Sequence, residues 1–398
     1  MEFLLHSWPS KKRGIMIFLS FILVSQVFSQ NYPIGHRTMN FIDTARNNRP
    51  VPVEIYYPAE SAGNNTMVAA GTFPVIVFGH GFLMPYSAYA YFRDAMVPDG
   101  YFVVFPTTEG GLIPNHLDFG GDLAFLIVKM KAEGMVPASP FYQHVDSTSA
   151  VMGHSMGGGA SFLGCKDNTV PTAMVTFAAA ETNPSAIAAA SEITIPNLVF
   201  AASEDCVTPP PTNQVPMYDS LASECKVYIS ITGGGHCYFA NYNFQCSLGE
   251  TGCQQNFTVT REQQHAVILD FTKPYLAHYL KKDTAAWSLF NDSLASSARI
   301  TFQKSCTVVS EVPDHPANPA YSLSPNPAGD FLVIHTTTPP CGNLEIRLLD
   351  LSGRTILKAV FPERKADYPV NVASLPEGFY VVSIRSGKND FFLKFLKK

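Results

Sequence analysis

Short, almost continuously apolar segments recur along the larger, N-terminal part of the chain. They occupy residues 73–79, 101–106, 149–153, 173–178 and 197–202. Strands buried on both faces of a parallel sheet have this composition, because neither face meets water. Apolar residues at helical spacing lie between and after them, in residues 122–133, 155–165 and 261–280. The alternation predicts an α/β fold with a mostly parallel sheet.

The periodicity stops after residue 306, where three prolines fall within residues 312–320. Such a stretch is typical of a linker, which we place at residues 307–320. Short alternating segments then return between turn signals, at residues 331–335, 344–350 and 379–385. This pattern predicts a small C-terminal β-sandwich at residues 321–398, after an α/β domain at residues 30–306.

The N-terminus has the pattern of a signal peptide at residues 1–29. Three basic residues at 11–13 precede an apolar run at 15–24, which is too short to span a bilayer comfortably. Val27 and Ser29 suit cleavage after residue 29. The alternative is an uncleaved anchor. Export would place the eight cysteines in an oxidising compartment, where disulfides persist.

Charge and cysteine spacing exclude some classes of function. The formal net charge is −5, so nothing indicates a surface for binding nucleic acid. The cysteines lack the paired C-x-x-C spacing of a zinc site. We therefore expect neither a metal nor another cofactor.

Residues 153–157 read GHSMG, and they follow a predicted strand and begin a predicted helix. This is the setting of a nucleophile elbow, in which two glycines relieve crowding around an exposed serine. The Rossmann and P-loop patterns are both absent. Ser155 is therefore the candidate nucleophile. The alternative is a turn whose serine only caps the helix.

A serine hydroxyl is a weak nucleophile, so it needs a histidine base that a carboxylate orients. After such an elbow the acid comes first and the histidine second, each beyond a later strand. Asp205 follows the strand at 197–202, and His236 follows three glycines after a strand at 227–232. Glu204 and Glu181 remain alternative acids, and a solvated loop histidine is the alternative for His236.

The oxyanion of the transition state needs two hydrogen-bond donors. The backbone N–H of Met156 is one candidate, because it directly follows the nucleophile. The other is the N–H of Phe82 in the loop after the strand at 73–79. The pair His80 and Gly81 before it is also compatible with a simple tight turn.

The motifs GHGF, GHSMGGG, SEDCVTP and GGGH together resemble the lidless secreted esterases that include cutinases and poly(ethylene terephthalate) hydrolases. The resemblance covers residues 32–306 and implies an α/β-hydrolase fold. It also implies catalytic roles for Ser155, Asp205 and His236, and oxyanion donation by Phe82 and Met156. The chain departs from these polyester hydrolases at residues 179–182, which read AAET where they carry a tryptophan.

The same region also resembles plasma-type platelet-activating-factor acetylhydrolases, chlorophyllases and, more remotely, dienelactone hydrolases. Residues 181–194 leave no room for a lipase lid, so an open site is expected. Phe82, Tyr86, Met156 and Tyr238 are candidates to line it, although Tyr86 and Tyr238 could equally be ordinary core or surface aromatics.

The sequence thus predicts a monomeric, secreted serine carboxylesterase that acts on neutral carboxylic esters, with polyesters as candidate substrates. One alternative is an acetylhydrolase or lipase acting on small lipid esters. An alternative of another class is a catalytically inactive surface-binding protein built on the hydrolase fold.

The C-terminal part makes a second resemblance. Its motifs LSPNPA (323–328), DLSGR (350–354) and LPEGFY (375–380), with a lysine-rich end at 394–398, resemble a type IX secretion sorting domain. This implies export by the Sec and type IX routes, the type IX machinery as a partner, and release or surface attachment. The alternative, a carbohydrate-binding sandwich, would need exposed aromatic platforms.

Cys206 and Cys237 each directly follow a triad candidate at the ends of two adjacent predicted strands. Adjacent strands lie about 4.8 Å apart, within reach of the roughly 4.4 to 6.8 Å Cα separation of a disulfide. We therefore predict a Cys206–Cys237 bond, and the resembling hydrolases have a comparable one. Cys246 and Cys253 would then close their own loop, which leaves Cys165, Cys306 and Cys341 unassigned.

Overall fold

The computed structural model describes residues 31–254, 256–306, 321–336, 343–350, 354–362, 365–386 and 389–398. It divides into two compact units, Met1–Thr307 and Val308–Lys398. The predicted signal peptide and linker lie outside the described residues. No helix within the described ranges is both long and apolar enough to cross a membrane.

The strands of the first unit form one mixed sheet. They are β1 Ile34–Asp43, β2 Arg49–Pro58, β3 Gly63–Asn64, β4 Phe73–Gly79, β5 Phe102–Pro106, β6 Val145–His154, β7 Ala173–Phe177, β8 Asn197–Ala202, β9 Cys225–Ile231 and β10 Ile300–Cys306. Their order in the sheet is β10-β9-β8-β7-β6-β4-β5-β2-β1-β3. The block from β9 to β5 is parallel throughout, whereas β10 and β2 join its two edges antiparallel. The predicted mostly parallel sheet is confirmed.

The helices of the first unit cover both faces of this sheet. They are α1 Ala90–Met96, α2 His116–Glu133, α3 Met156–Cys165, α4 Ala186–Ala190, α5 Gln214–Ser220, α6 Phe244–Gly249, α7 Arg261–Lys281 and α8 Thr284–Ser296. Helices α2 to α5 contribute to one buried core, and α1, α7 and α8 contribute to a second.

Successive residues of the central strands enter opposite cores. Val75 and Val77 of β4 belong to the core under α2 and α3, while Ile76 and Phe78 belong to the core under α7. All four side chains are at most 1% exposed. Because adjacent side chains of a strand point to opposite faces, a strand covered on both sides must be apolar at every position.

The second unit consists of antiparallel strands. They are β11 Tyr321–Ser324, β12 Phe331–Thr336, β13 Leu344–Leu349, β14 Thr355–Phe361, β15 Asp367–Asn371, β16 Gly378–Ser386 and β17 Asn389–Lys397. They form the sheets β11-β12-β15 and β14-β13-β16-β17. Alternate residues of β13, Leu344, Ile346 and Leu348, are fully buried in the core of this unit. The predicted β-sandwich is confirmed.

Candidate active site

The three triad candidates lie beyond the C-terminal ends of central parallel strands. Ser155 follows β6, Asp205 follows β8 and His236 follows β9. β8 and β9 are neighbours in the sheet, and only β7 lies between β8 and β6. The carboxyl ends of parallel strands meet at one edge, which is where open α/β sheets place their sites.

Ser155 occupies a sharp turn between β6 and α3. Its φ of 54° and ψ of −119° are unusual for a residue with a side chain. Hydrogen bonds hold it there, because its N–H donates to the Phe177 carbonyl at 2.9 Å and its carbonyl accepts from the Gly159 N–H at 3.0 Å. A Cβ at Gly157 would overlap the backbone of Gly79. The turn therefore requires glycine at that position, as in a nucleophile elbow.

Asp205 and His236 form a buried pair. The Nδ1–H of His236 donates to Asp205 Oδ2 at 2.8 Å, and the two side chains are 3% and 0% exposed. The other carboxylate oxygen accepts from the N–H groups of Val207 at 2.9 Å and Thr208 at 2.8 Å. Because the carboxylate fixes the proton on Nδ1, Nε2 is the nitrogen left to accept a proton.

The two alternative carboxylates have other partners. Glu181 accepts from the Ile187 N–H at 3.0 Å, at the start of α4. Glu204 accepts from the Ser203 hydroxyl at 3.0 Å. Asp205 is therefore the acid that the described hydrogen bonds connect to His236.

Thr208 is a member of this cluster that the sequence did not indicate. Its hydroxyl lies 2.9 Å from Asp205 Oδ2 and 3.1 Å from His236 Nδ1, and it accepts from Gln214 Nε2 at 3.1 Å. A threonine three residues after an aspartate is common in loops, so its spacing alone carries no signal. Only the folded loop brings its hydroxyl to the pair.

The loop of His236 is held from several directions. Gln264 of α7 accepts from the Gly235 N–H and donates to the Gly235 carbonyl, both at 3.0 Å. The Cys237 N–H donates to Glu250 at 2.9 Å. Arg261 donates to the carbonyls of Cys237 and Ala240. These bonds fix the backbone on both sides of the candidate base.

The predicted Cys206–Cys237 disulfide is wrong. Cys206 bonds to Cys253 with a Cα separation of 5.8 Å, and Cys237 bonds to Cys246 at 5.7 Å. The strand ends are adjacent, but Cys206 is exposed whereas Cys237 is 1% exposed, so the two residues lie at different depths. Each instead pairs with a cysteine of the segment that contains α6, so the predicted Cys246–Cys253 bond is wrong as well.

The remaining cysteines are one bonded pair, one free thiol and one residue outside the described ranges. Cys225 and Cys306 are register partners on β9 and β10 and form the third disulfide, at the edge opposite the site. Cys165 is a free, buried thiol, and burial raises its pKa to about 12. Cys341 lies outside the described residues.

The loops that carry the two oxyanion candidates begin at neighbouring positions of adjacent strands. Gly79 of β4 is the register partner of Gly153 of β6, so the loops that carry Phe82 and Met156 leave the sheet side by side. The Phe82 residue is 45% exposed, whereas Met156 is 3% exposed and packs in the core. Burial of its side chain makes Met156 a better candidate as a backbone N–H donor than as a residue that lines the site.

The other two lining candidates belong to aromatic groups. Tyr86 is half-buried with its ring centre 6.1 Å from that of Phe105. Tyr238 packs against Phe257 at 4.9 Å, and the Arg261 guanidinium lies 4.5 Å from the centre of its ring. Their contact with a substrate stays a prediction.

The half-buried His265 and the fully buried His154 make stability sensitive to acid. Burial lowers the pKa of His265 from 6.5 to about 4, and burial together with the neighbouring His236 ring lowers that of His154. Below about pH 6.5 these histidines bind protons in the unfolded chain but not yet in the folded chain. The free energy of unfolding should therefore fall as the pH is lowered from about 6.5 to about 4. Urea unfolding at steps across this range measures it. His265→Gln should flatten the slope, and an unchanged slope would contradict the assignment of this histidine.

Known protein families match both units of the chain. The chain matches the protein family described as PET hydrolase-like over residues 51–254, and the secretion system C-terminal sorting domain over residues 322–398. It is 26% identical over 184 residues to a bis(hydroxyethyl) terephthalate hydrolase of Streptomyces coelicolor. That match covers 46% of this chain and 54% of the relative, so the chain spans about half the length of this curated protein.

Proposed function

The chain belongs to the PET hydrolase-like family, and on that basis we propose that it is a secreted serine carboxylesterase acting on neutral carboxylic esters. The observation that carries the proposal is the buried 2.8 Å bond between Asp205 and His236 beside a strained serine turn. A carboxylate that orients a histidine next to such a serine is the arrangement of acyl-transfer hydrolases.

The reaction proceeds in two halves. His236 Nε2 takes the proton of the Ser155 hydroxyl as Oγ attacks the ester carbonyl carbon, and the N–H groups of Phe82 and Met156 stabilise the oxyanion. The bond from the carbonyl carbon to the alkoxide oxygen then breaks, His236 gives the proton to that oxygen, the alcohol leaves, and the acyl group remains on Ser155 Oγ as the acyl-enzyme. Water repeats the sequence, with its proton passing through His236 to Ser155 Oγ, and the carboxylic acid is released.

Exposed apolar side chains on the loops that follow the parallel strands β4 and β5 support neutral esters as the substrate class. Phe82 is 45% exposed, and Leu112 and Ile113 on the loop after β5 are 77% and 95% exposed. The short helix α4 occupies the place where a lid would be inserted. We include polyesters and small diesters such as bis(hydroxyethyl) terephthalate among the candidate substrates, although residues 179–182 provide no aromatic ring there.

An organophosphonate probe tests the mechanism directly. We expect one equivalent of label on the peptide that contains Ser155. A panel of p-nitrophenyl esters of rising chain length, assayed together with a polyester film, should define the acyl preference. Activity confined to acetyl or long-chain lipid esters would favour an acetylhydrolase or lipase instead. Absence of both label and turnover would favour a surface-binding protein.

The C-terminal unit directs the chain out of the cell. Its match to the secretion system sorting domain confirms the predicted type IX tail and an exported or surface location. The Phe395 side chain is 1% exposed and lies in the core of this unit. That burial disfavours a carbohydrate platform at this residue.

Ending the chain after Cys306 should leave a folded, active enzyme. The two cores of the first unit and all triad candidates lie before this residue, and the Cys225–Cys306 bond is retained. Melting curves and turnover of a soluble truncated protein, compared with the full chain, measure this. A loss of specific activity greater than a few-fold would contradict the independence of the first unit.

A further inference from the structure

A chain of three hydrogen bonds links the oxyanion loop to the candidate base. The Gly81 N–H donates to the Tyr89 hydroxyl at 2.8 Å, and the hydroxyl lies 3.0 Å from His154 Nδ1. His154 Nε2 lies 3.2 Å from the carbonyl of His236. Tyr89 and His154 are both fully buried, and neither has a role in the proposed reaction.

The direction of these bonds follows from their ends. The His236 carbonyl can only accept, so His154 Nε2 must carry a proton. Burial keeps the pKa of His154 well below its usual value, so the ring is neutral and Nδ1 is an acceptor. Burial also raises the pKa of Tyr89, so its O–H is present and donates to Nδ1. One arrangement of protons therefore satisfies every group from Gly81 to His236.

We propose that Tyr89 and His154 are positioning residues. Through this hydrogen-bond chain they fix the position of the Phe82 oxyanion loop relative to the His236 loop. The inference rests on the proposed esterase function. Gly81 directly precedes Phe82, so a displaced Tyr89 hydroxyl moves one oxyanion donor. His154 directly precedes Ser155 and bonds the backbone carbonyl of His236, so its ring connects the turn of the nucleophile to the loop of the base.

The packing around Gly81 supports this role. A Cβ at this glycine would lie 2.7 Å from Met84 Sδ, 3.2 Å from His154 Nδ1 and 3.3 Å from the Tyr89 hydroxyl. The loop backbone therefore rests directly on the two positioning side chains. The rings of His154 and His236 also contact each other, with centres 4.8 Å apart. A neutral His154 avoids repulsion when His236 becomes charged in the transition state.

Tyr89→Phe removes only the central hydroxyl. We expect kcat to fall by about tenfold to a hundredfold with KM changed less than about threefold, because oxyanion and base geometry affect the transition state more than substrate binding. His154→Leu should lose as much, and His154→Gln should recover most of the rate, since one planar amide offers both an acceptor and a donor. Tyr57→Phe is the matched control, because Tyr57 is buried and its hydroxyl donates to the remote Thr66 carbonyl at 2.9 Å.

Nitrogen-15 NMR of the histidine rings gives a readout that does not depend on turnover. The wild-type protein should show His154 with its proton on Nε2, and a proton on Nδ1 would overturn the proposal even if a variant failed to fold. Equal rates for Tyr89→Phe and Tyr57→Phe, or a loss entirely in KM, would also overturn it. If wild-type Ser155 takes no organophosphonate label, the esterase proposal fails and the positioning role fails with it. If the label is present and Tyr89→Phe keeps its rate, only the positioning role fails.

Discussion

Ser155→Ala should lower ester turnover by about 10⁴-fold or more while the melting temperature stays nearly unchanged. The hydroxyl is the group that forms the acyl-enzyme, so its removal leaves only the oxyanion donors and substrate binding. The backbone bonds that hold the turn, from Ser155 N–H to Phe177 and from Gly159 N–H to Ser155, do not involve the side chain. Stability should therefore be preserved.

Ser161→Ala is the matched control for this prediction. Ser161 lies on the same helix α3 and loses a buried hydroxyl that bonds the Gly157 carbonyl at 2.8 Å. We expect its turnover to stay within about threefold of the wild type. Initial rates on a p-nitrophenyl ester and melting curves of both variants provide the measurement. Turnover above about one thousandth of wild type in Ser155→Ala would indicate another nucleophile.

Asp205→Asn should lower kcat by about 10⁴-fold, because an amide can donate to His236 Nδ1 and so stabilise the wrong tautomer of the base. The amide oxygen can still accept from the N–H groups of Val207 and Thr208, so the loop should keep its shape. The proton would then sit on Nε2, where it blocks attack by Ser155.

Glu204→Gln and Glu181→Gln are the controls for the acid. Both remove a carboxylate that the sequence left as an alternative, and both bond elsewhere, to Ser203 and Ile187. We expect less than a threefold change in kcat for each. Steady-state kinetics of the three variants compare them, and a larger loss in either glutamate variant than in Asp205→Asn would transfer the acid role.

The parallel core of the fold was predictable because its strands are buried on both faces. The predicted segments 73–79 and 197–202 coincide with β4 and β8. The outer strands β1, β2 and β10 were missed. β1 is mostly half-buried or exposed, β2 is continuously buried only at its end, and β10 is mostly exposed, so no apolar run marks the length of any of them.

The candidate site was predictable as far as it depends on strand ends and turns. Ser155, Asp205 and His236 each follow a recognisable strand, and the structure brings Asp205 and His236 into contact as expected. The disulfide pairing failed because it depends on how deep each loop lies and where α6 returns, neither of which strand spacing determines. Thr208, Gln264 and Tyr89 were missed for a similar reason, since their partners are distant in sequence or fixed only by loop shape.

The two disulfides near the site also tie the loops of the acid and the base to the redox state of their compartment. They fasten the acid loop at Cys206 and the base loop at Cys237 to a single short segment, at Cys253 and Cys246. The cytoplasm keeps thiols reduced, whereas exported proteins meet oxidising conditions. Both loops therefore lack these covalent links in the newly made chain. We therefore expect the covalent links that hold the acid loop and the base loop to this segment to form only after export.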